Sequence, residues 1–187
     1  MEYSVHRPNR LLAMDIEVVF RPDLADSATK ANQPDVEEHL AHSLLAVPTW
    51  QPATRDLSEI SDDVNQERRA LLNRFLAFAA ALREQLAPHW LDAACPVDGC
   101  ARFGARTSAM YNELEGLTAL LKYRSIPVGC CGTLLHPERQ RAAYPATLFT
   151  TAPLEAFEAA VEVVAARGEA IFTESAVRET DDCGMCM

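Results

Sequence analysis

One stretch limits the fold of this chain more than any other. Between residues 62 and 86 the apolar residues Leu71, Phe75, Phe78, Leu82 and Leu86 recur at intervals of three and four, the period of a helix with one buried stripe. Ser61 stands at the N-cap position, Asp62 and Asp63 fall where the helix dipole favours acids, and Pro88 forbids continuation. Leu72, Leu76 and Ala79 widen the stripe, while Arg68, Arg69, Arg74 and Glu84 take other sides. A helix of this length and amphipathicity needs an equally apolar surface to lie on, so the remaining elements must supply one.

The flanking sequence predicts strands. In LLAMDIEVVF, residues 11–20, Leu12, Met14, Ile16, Val18 and Phe20 alternate with Asp15 and Glu17, the period of two of a half-buried strand, stopped by Pro22. Residues 23–38 are polar and aperiodic, a surface loop with at most a short helix at 36–40. A short strand at 43–47 ends at Pro48. Residues 89–94 and 100–103 read as a hairpin around the turn signal PVDG at 96–99. A helix is expected at 110–123, weakened by Gly116, and two strands at 130–135 and 143–151, joined through the basic loop 137–141. The last helix, 153–166, has Pro153 near its first position, a stripe of Leu154, Phe157, Val161 and Val164, and Gly168 at the expected C-terminal glycine. The final twenty residues have no period. These elements predict one domain over 1–168, a mobile cysteine-containing tail over 169–187, and an α+β fold whose strands mostly neighbour in sequence in a largely antiparallel sheet flanked by helices.

At 187 residues the chain is long enough for a single core without disulfides or metals as staples. A net charge of -10 argues against a nucleic-acid partner, since phosphate neutralisation needs clustered excess Lys and Arg. No apolar run approaches the ~20 residues of a membrane span. The first fourteen residues show neither a secretory h-region nor an acid-free amphipathic leader, so the cytoplasm is the expected compartment. Six cysteines then read as reduced thiols or metal ligands rather than a disulfide framework.

Two groups of cysteines carry candidate chemistry. Cys130 and Cys131 are adjacent and held between Gly129 and Gly132: two soft sulfur donors, suited to cobalt, zinc or copper, beside residues with no side chain to keep a large ligand away. If both are extended, their side chains leave opposite faces, so one meets a partner while the other packs inward. The plainer alternative is two small core residues. Lys122 and Arg124 precede the pair and would lower its thiol pKa if they lay nearby. Cys183 and Cys186, in CGMC at the end of the chain, have the spacing of half a zinc site or of a dithiol, and Cys95 and Cys100 could complete four sulfurs. Those two also flank a hairpin turn, where they would merely face one another. His136 follows the thiol strand, and a lone histidine there is more often a surface or hydrogen-bonded residue than a ligand. His39 and His42 share one segment without a matching Glu-x-x-His. No G-x-S-x-G, Walker loop, G-x-G-x-x-G or H-E-x-x-H motif is present, so the main hydrolase, nucleotide and metalloprotease classes have no foothold.

VGCCGTLLH at 128–136, followed by ATLFTTAP at 146–153, resembles the C-terminal domain of the CblD family, the methylmalonic aciduria and homocystinuria type D proteins. DLSEISDDV at 56–64, ERRALLNRF at 67–75 and RFG at 102–104 extend the resemblance in the same order, over most of residues 43–160. It implies a reduced flavin-nitroreductase-like scaffold without flavin. It also implies a non-enzymatic adaptor in cobalamin (vitamin B12) trafficking. Cys130 would supply sulfur to the cobalt of a cobalamin bound mainly by a CblC-like chaperone, Cys131 would be its packed neighbour, and the cofactor would pass toward methionine synthase. The cobalamin is expected to be shared with the partner rather than bound alone. The family also serves a mitochondrial enzyme, with a long N-terminal region influencing the choice; the short segment before the domain here points to the cytoplasmic branch. Residues after RFG and from 113 to 127 depart from the family wording, which puts partner contacts in doubt. The alternative reading is a thiol redox or zinc module built on Cys183 and Cys186. A flavin enzyme is a third, without a phosphate-binding feature to support it.

Overall fold

The computed structural model describes residues 1–30, 40, 42–128 and 131–167. Their elements, in chain order, are β1 (Glu2–Tyr3), α1 (Arg10–Lys30), β2 (Leu45–Pro52), α2 (Asp62–Gln85), β3 (Leu91–Ala93), α3 (Glu113–Leu121), β4 (Ser125–Val128), β5 (Cys131–Leu134), β6 (Ala143–Thr150) and α4 (Leu154–Ala166). The fold is α+β with antiparallel pairing throughout, as expected. The neighbours differ from expectation: the main sheet runs β1-β2-β6-β3, and β4 and β5 form a separate two-stranded sheet. Strands of the main sheet are thus mostly not consecutive in sequence.

Helix α2 starts where the sequence places it, with the Ser61 hydroxyl accepting the Val64 N–H and Asp62 and Asp63 in the first turn. Its buried residues Phe75, Phe78 and Leu82 meet Val47, Leu91 and Leu148 of the sheet together with Phe157, Val161 and Val164 of α4. Burying one such phenylalanine contributes roughly 2–3 kcal/mol. In α4 the stripe is shifted from the expectation: Leu154 is exposed and Ala160 buried in its place.

The opposite face is covered by α1, which corrects the strand expected at 11–20. Leu12, Ile16, Phe20 and Leu24 are spaced by four as well as by even numbers, and the chain takes the helical solution because Val19 is also apolar and buries with them. Leu11, Met14 and Val18 face solvent. Asn9 caps the helix, its side-chain oxygen accepting the Leu12 N–H at 3.0 Å. Pro22 lies inside the helix instead of stopping it; the carbonyl it leaves without a donor belongs to Val18 on the exposed side, where water can serve it.

Two prolines inside strands show where the sheet has gaps. Ala46 exchanges both backbone bonds with His6 at 2.9 Å, so by alternation Pro48 turns its donor-less nitrogen to the side of the short edge strand β1. Pro48 therefore sits within β2 and does not end it. On β6 the Ala94 N–H donates to Thr147, so Pro145 and Ala143 face the same side. There β3 pairs only with residues 148–150, and the lower half of that edge of β6 has no strand beside it among the described residues. Pro145 can be accommodated because its nitrogen has no partner to disappoint.

Candidate functional site

The thiol segment forms part of a hairpin. β4 pairs with β5 through Ser125↔Leu134, Ile126↔Thr133, Pro127↔Gly132 and Val128↔Cys131. Cys131 is the first paired residue of β5, while Gly129 and Cys130 lie outside the described residues, as do Gly168, His39, Cys183, Cys186 and the acidic pair Asp181 and Asp182. Strand β4 is an addition to the sequence reading. Arg124 sits at the other end of the hairpin, its carbonyl accepting the Leu135 N–H at 2.8 Å. Four residue steps take the chain from it to Val128, about 13 Å at ~3.3 Å per step.

The hairpin rests on α3. Asn112 caps this helix by accepting the Glu115 N–H at 3.3 Å, and the helix ends at Lys122 in the left-handed conformation, φ 56°. Gly116 does not weaken α3 here: a Cβ there would stand 1.8 Å from the Tyr111 hydroxyl, so the missing side chain lets Tyr111 pack on the helix. Gly132 has the same kind of use. A Cβ on it would lie 2.6 Å from Leu114 Cδ2, so the close approach that glycine permits is made by α3 within the chain.

His136 holds the base of the hairpin. It is buried, its Nδ1 accepts the N–H groups of Glu138 and Arg139 at 3.3 Å each, and its Nε2 is 3.5 Å from Glu2. Its ring meets Trp50 at 5.1 Å and Tyr123 at 6.1 Å between centroids. The histidine is hydrogen-bonded, as anticipated, but internal.

Along the open edge of β6, between α2 and α3, runs a groove of about 450 Å³. Gly132, Thr133 and Leu134 form one wall, and Pro96 and Val97 of the Cys95–Cys100 turn another. Arg68, Arg69 and Arg141 line it as well. Arg141 pairs with Asp56 at 3.0 Å, and Arg68 donates to the Leu57 carbonyl and to Asn65. Glu113, in the first turn of α3, turns inward: its Oε1 accepts from the Thr147 hydroxyl at 2.6 Å, and its Oε2 is buried with no hydrogen-bond partner. Burial pushes its carboxyl from 4.5 up to about 7, against the pull of the Thr147 hydrogen bond. The buried hydroxyl of Tyr111 is also pushed up, by burial first and then by Glu113. Neither residue was singled out from the sequence, because an acid in a first helical turn is ordinary and only the fold turns this one inward.

Cys95 and Cys100 do face one another. Cys95 N–H donates to the Cys100 carbonyl at 2.9 Å across the turn, with Gly99 at φ 71°. Both are free thiols, and Cys95 is buried. Among the described residues no three His, Cys, Asp or Glu side chains gather as metal ligands. The RFG segment nearby is structural: the N–H groups of Ala93, Arg102, Phe103 and Gly104 all donate to the buried Asp92 carboxylate, at 2.7, 3.1, 2.9 and 2.9 Å.

The described residues thus form an α+β domain that carries a cysteine-bearing hairpin outside its main sheet, beside an arginine-lined groove. The model of the family described as methylmalonic aciduria and homocystinuria type D protein matches residues 10–161, and the chain belongs to that family. It is similar to the "Cobalamin trafficking protein CblD" of Rattus norvegicus, 27% identical over 140 residues, 73% of this chain and 41% of the rat protein. The mouse protein of the same name (Mus musculus) is 26% identical over 156 residues, 81% of this chain and 47% of that protein. The chain thus spans less than half the length of these relatives. No helix among the described residues is long and apolar enough to cross a membrane.

Proposed function

We propose that this chain is a non-enzymatic adaptor in cobalamin trafficking, in which Cys130 offers a thiolate to cobalt while a CblC-like chaperone holds most of the cofactor, and the complex passes it toward methionine synthase. The observation that carries the reading is the family match across residues 10–161, which spans the whole β4–β5 hairpin. The hairpin's position supports it: it pairs with no strand of the main sheet, so a partner can approach its tip without breaking the core. Cobalt is the cargo, and a thiolate is a soft donor that suits it. The groove beside β5 leaves room next to the hairpin for part of a bulky ligand. A flavin-free nitroreductase-like origin of the scaffold and a cytoplasmic setting belong to the same proposal.

An ultraviolet-visible titration of the reduced protein with cobalamin, with and without the chaperone, tests it. Wild type should give a thiolate-type shift in the presence of the chaperone, and Cys130→Ser should give none while keeping its melting temperature. An unchanged spectrum with wild type would end the cobalt-thiolate reading.

A further inference from the structure

The groove at the open edge of β6 has a chemistry of its own. Its floor and walls are apolar, with Leu72 from α2, Leu114 and Leu117 from α3, Val97 from the turn and Tyr144 from β6. Its volume of about 450 Å³ lies within the roughly 300–1,000 Å³ of small-molecule sites. In a chain of net charge -10 the groove gathers three arginines. Asp56 answers only Arg141; Arg68 is turned to neutral oxygens, and Arg69 is exposed at the rim. At the inner end is Glu113, whose Oε2 is buried and unpartnered. An apolar body with an anionic group at one end answers the walls and the arginines.

We propose that this groove binds an aromatic ring carrying a phosphate, and that the molecule supplying both is the nucleotide tail of a cobalamin, a dimethylbenzimidazole joined through ribose to a phosphate. This rests on the cobalamin reading above. The corrin ring is far too large for the groove, so only the tail enters. The wall it meets is β5, where Gly132 is the residue after Cys131, so a tail in the groove lies next in sequence to the cysteine pair. The phosphate sits at Arg69 and Arg141. Burial keeps the Glu113 carboxyl protonated up to about pH 7, which leaves the arginines unopposed from within.

The same chemistry is offered by a free nucleotide, so the experiment separates the sources. Isothermal titration of the whole chain uses dimethylbenzimidazole ribotide and AMP as probes. In parallel, loading with the chaperone compares cobalamin with cobinamide, which has the cobalt but no nucleotide. The ribotide should bind, about tenfold or more tighter than AMP. Arg69→Glu, at an exposed position, should weaken the ribotide by about tenfold or more, and Leu72→Trp should fill the groove with a similar loss. Arg74→Glu, exposed on the same helix and outside the groove, should change nothing. Cobalamin should load better than cobinamide in wild type and lose that advantage in Arg69→Glu. A folded protein that ignores the ribotide, binds AMP equally well, or fails to distinguish cobalamin from cobinamide overturns the proposal. If the Cys130-dependent shift still forms with cobinamide in that last case, the cobalt reading stands without the tail site. Ribotide binding with no shift from any cobalamin leaves the groove site and removes the thiolate.

Discussion

Two cysteine-bearing turns face each other across one groove, and they are built on opposite plans. The turn from Cys95 to Cys100 is tied down from within: Gly99 takes the positive φ, Asp98 accepts the Cys100 N–H at 3.0 Å and pairs with Arg106, and Asp92 collects four N–H groups behind it. The β4–β5 hairpin has four residues per strand, pairs only with itself and is anchored at one end by His136 and beneath by α3. Cys95 in the first setting is a packing residue, buried within the turn. The second, set apart from the main sheet, can shift at less cost to the core. What differs is how many internal hydrogen bonds must break before each segment can move.

The largest break in this comparison should come from Asp92→Ala. It takes their acceptor from the N–H groups of Ala93, Phe103 and Gly104, while Arg102 keeps the Ala93 carbonyl at 3.0 Å, and should cost about 4 kcal/mol of unfolding free energy, seen as a lowered urea midpoint. A loss under a quarter of that would mean the turn is not rigid for the reason given. Next is the acid at the inner end of the groove. Because burial raises Glu113 from 4.5 to about 7, the folded state holds its proton more tightly than the unfolded one. Its contribution is full below about pH 4.5 and is lost as pH rises to about 7, by about 3 kcal/mol. Urea midpoints between pH 5 and 8 should fall in wild type and stay level in Glu113→Gln; parallel curves would show that α3 does not bury that carboxyl.

The same contrast explains what the sequence made legible. Helix α2 was readable to within a residue because its stripe, its Ser61 cap and its acids all agree. Helix α1 was not, because Leu12, Ile16 and Phe20 satisfy a period of two and a period of four together, and only the face that burial selects separates them. β4 was missed since a four-residue strand containing Pro127 has no local signature. β2 was cut short at Pro48 because the harmlessness of a proline depends on which side lacks a neighbour, a property of the sheet. Among candidate site residues the sequence isolated the thiol segments, but it read Gly132 as room for a ligand where Leu114 of α3 fills that space. It had no means of turning Glu113 inward, or of joining Val97, Arg69 and Gly132 in one groove, since they meet only when β6 is placed at the centre of the sheet.

Two smaller substitutions sharpen the comparison from the hairpin side and then from the turn side. Gly132→Ala pushes a methyl group toward Leu114 Cδ2, 2.6 Å away. The leucine end can rotate, so the cost should be about 1 kcal/mol, and Leu114→Ala in the same chain should remove most of it; additive losses in that double mutant would show that β5 does not press on α3 there. Cys100 is half-buried, with its sulfur 3.8 Å from the Asp98 carbonyl, a weak contact, so Cys100→Ser should stay within about 0.5 kcal/mol of wild type. Cys95, buried and inside the hydrogen-bonded turn, should by contrast react with a thiol reagent only at the rate of unfolding, and denaturant should raise that rate in step with the unfolded fraction. Modification of Cys95 in the native protein as fast as in the unfolded one would mean that the turn opens on its own, and the two cysteine sites would then differ in position alone.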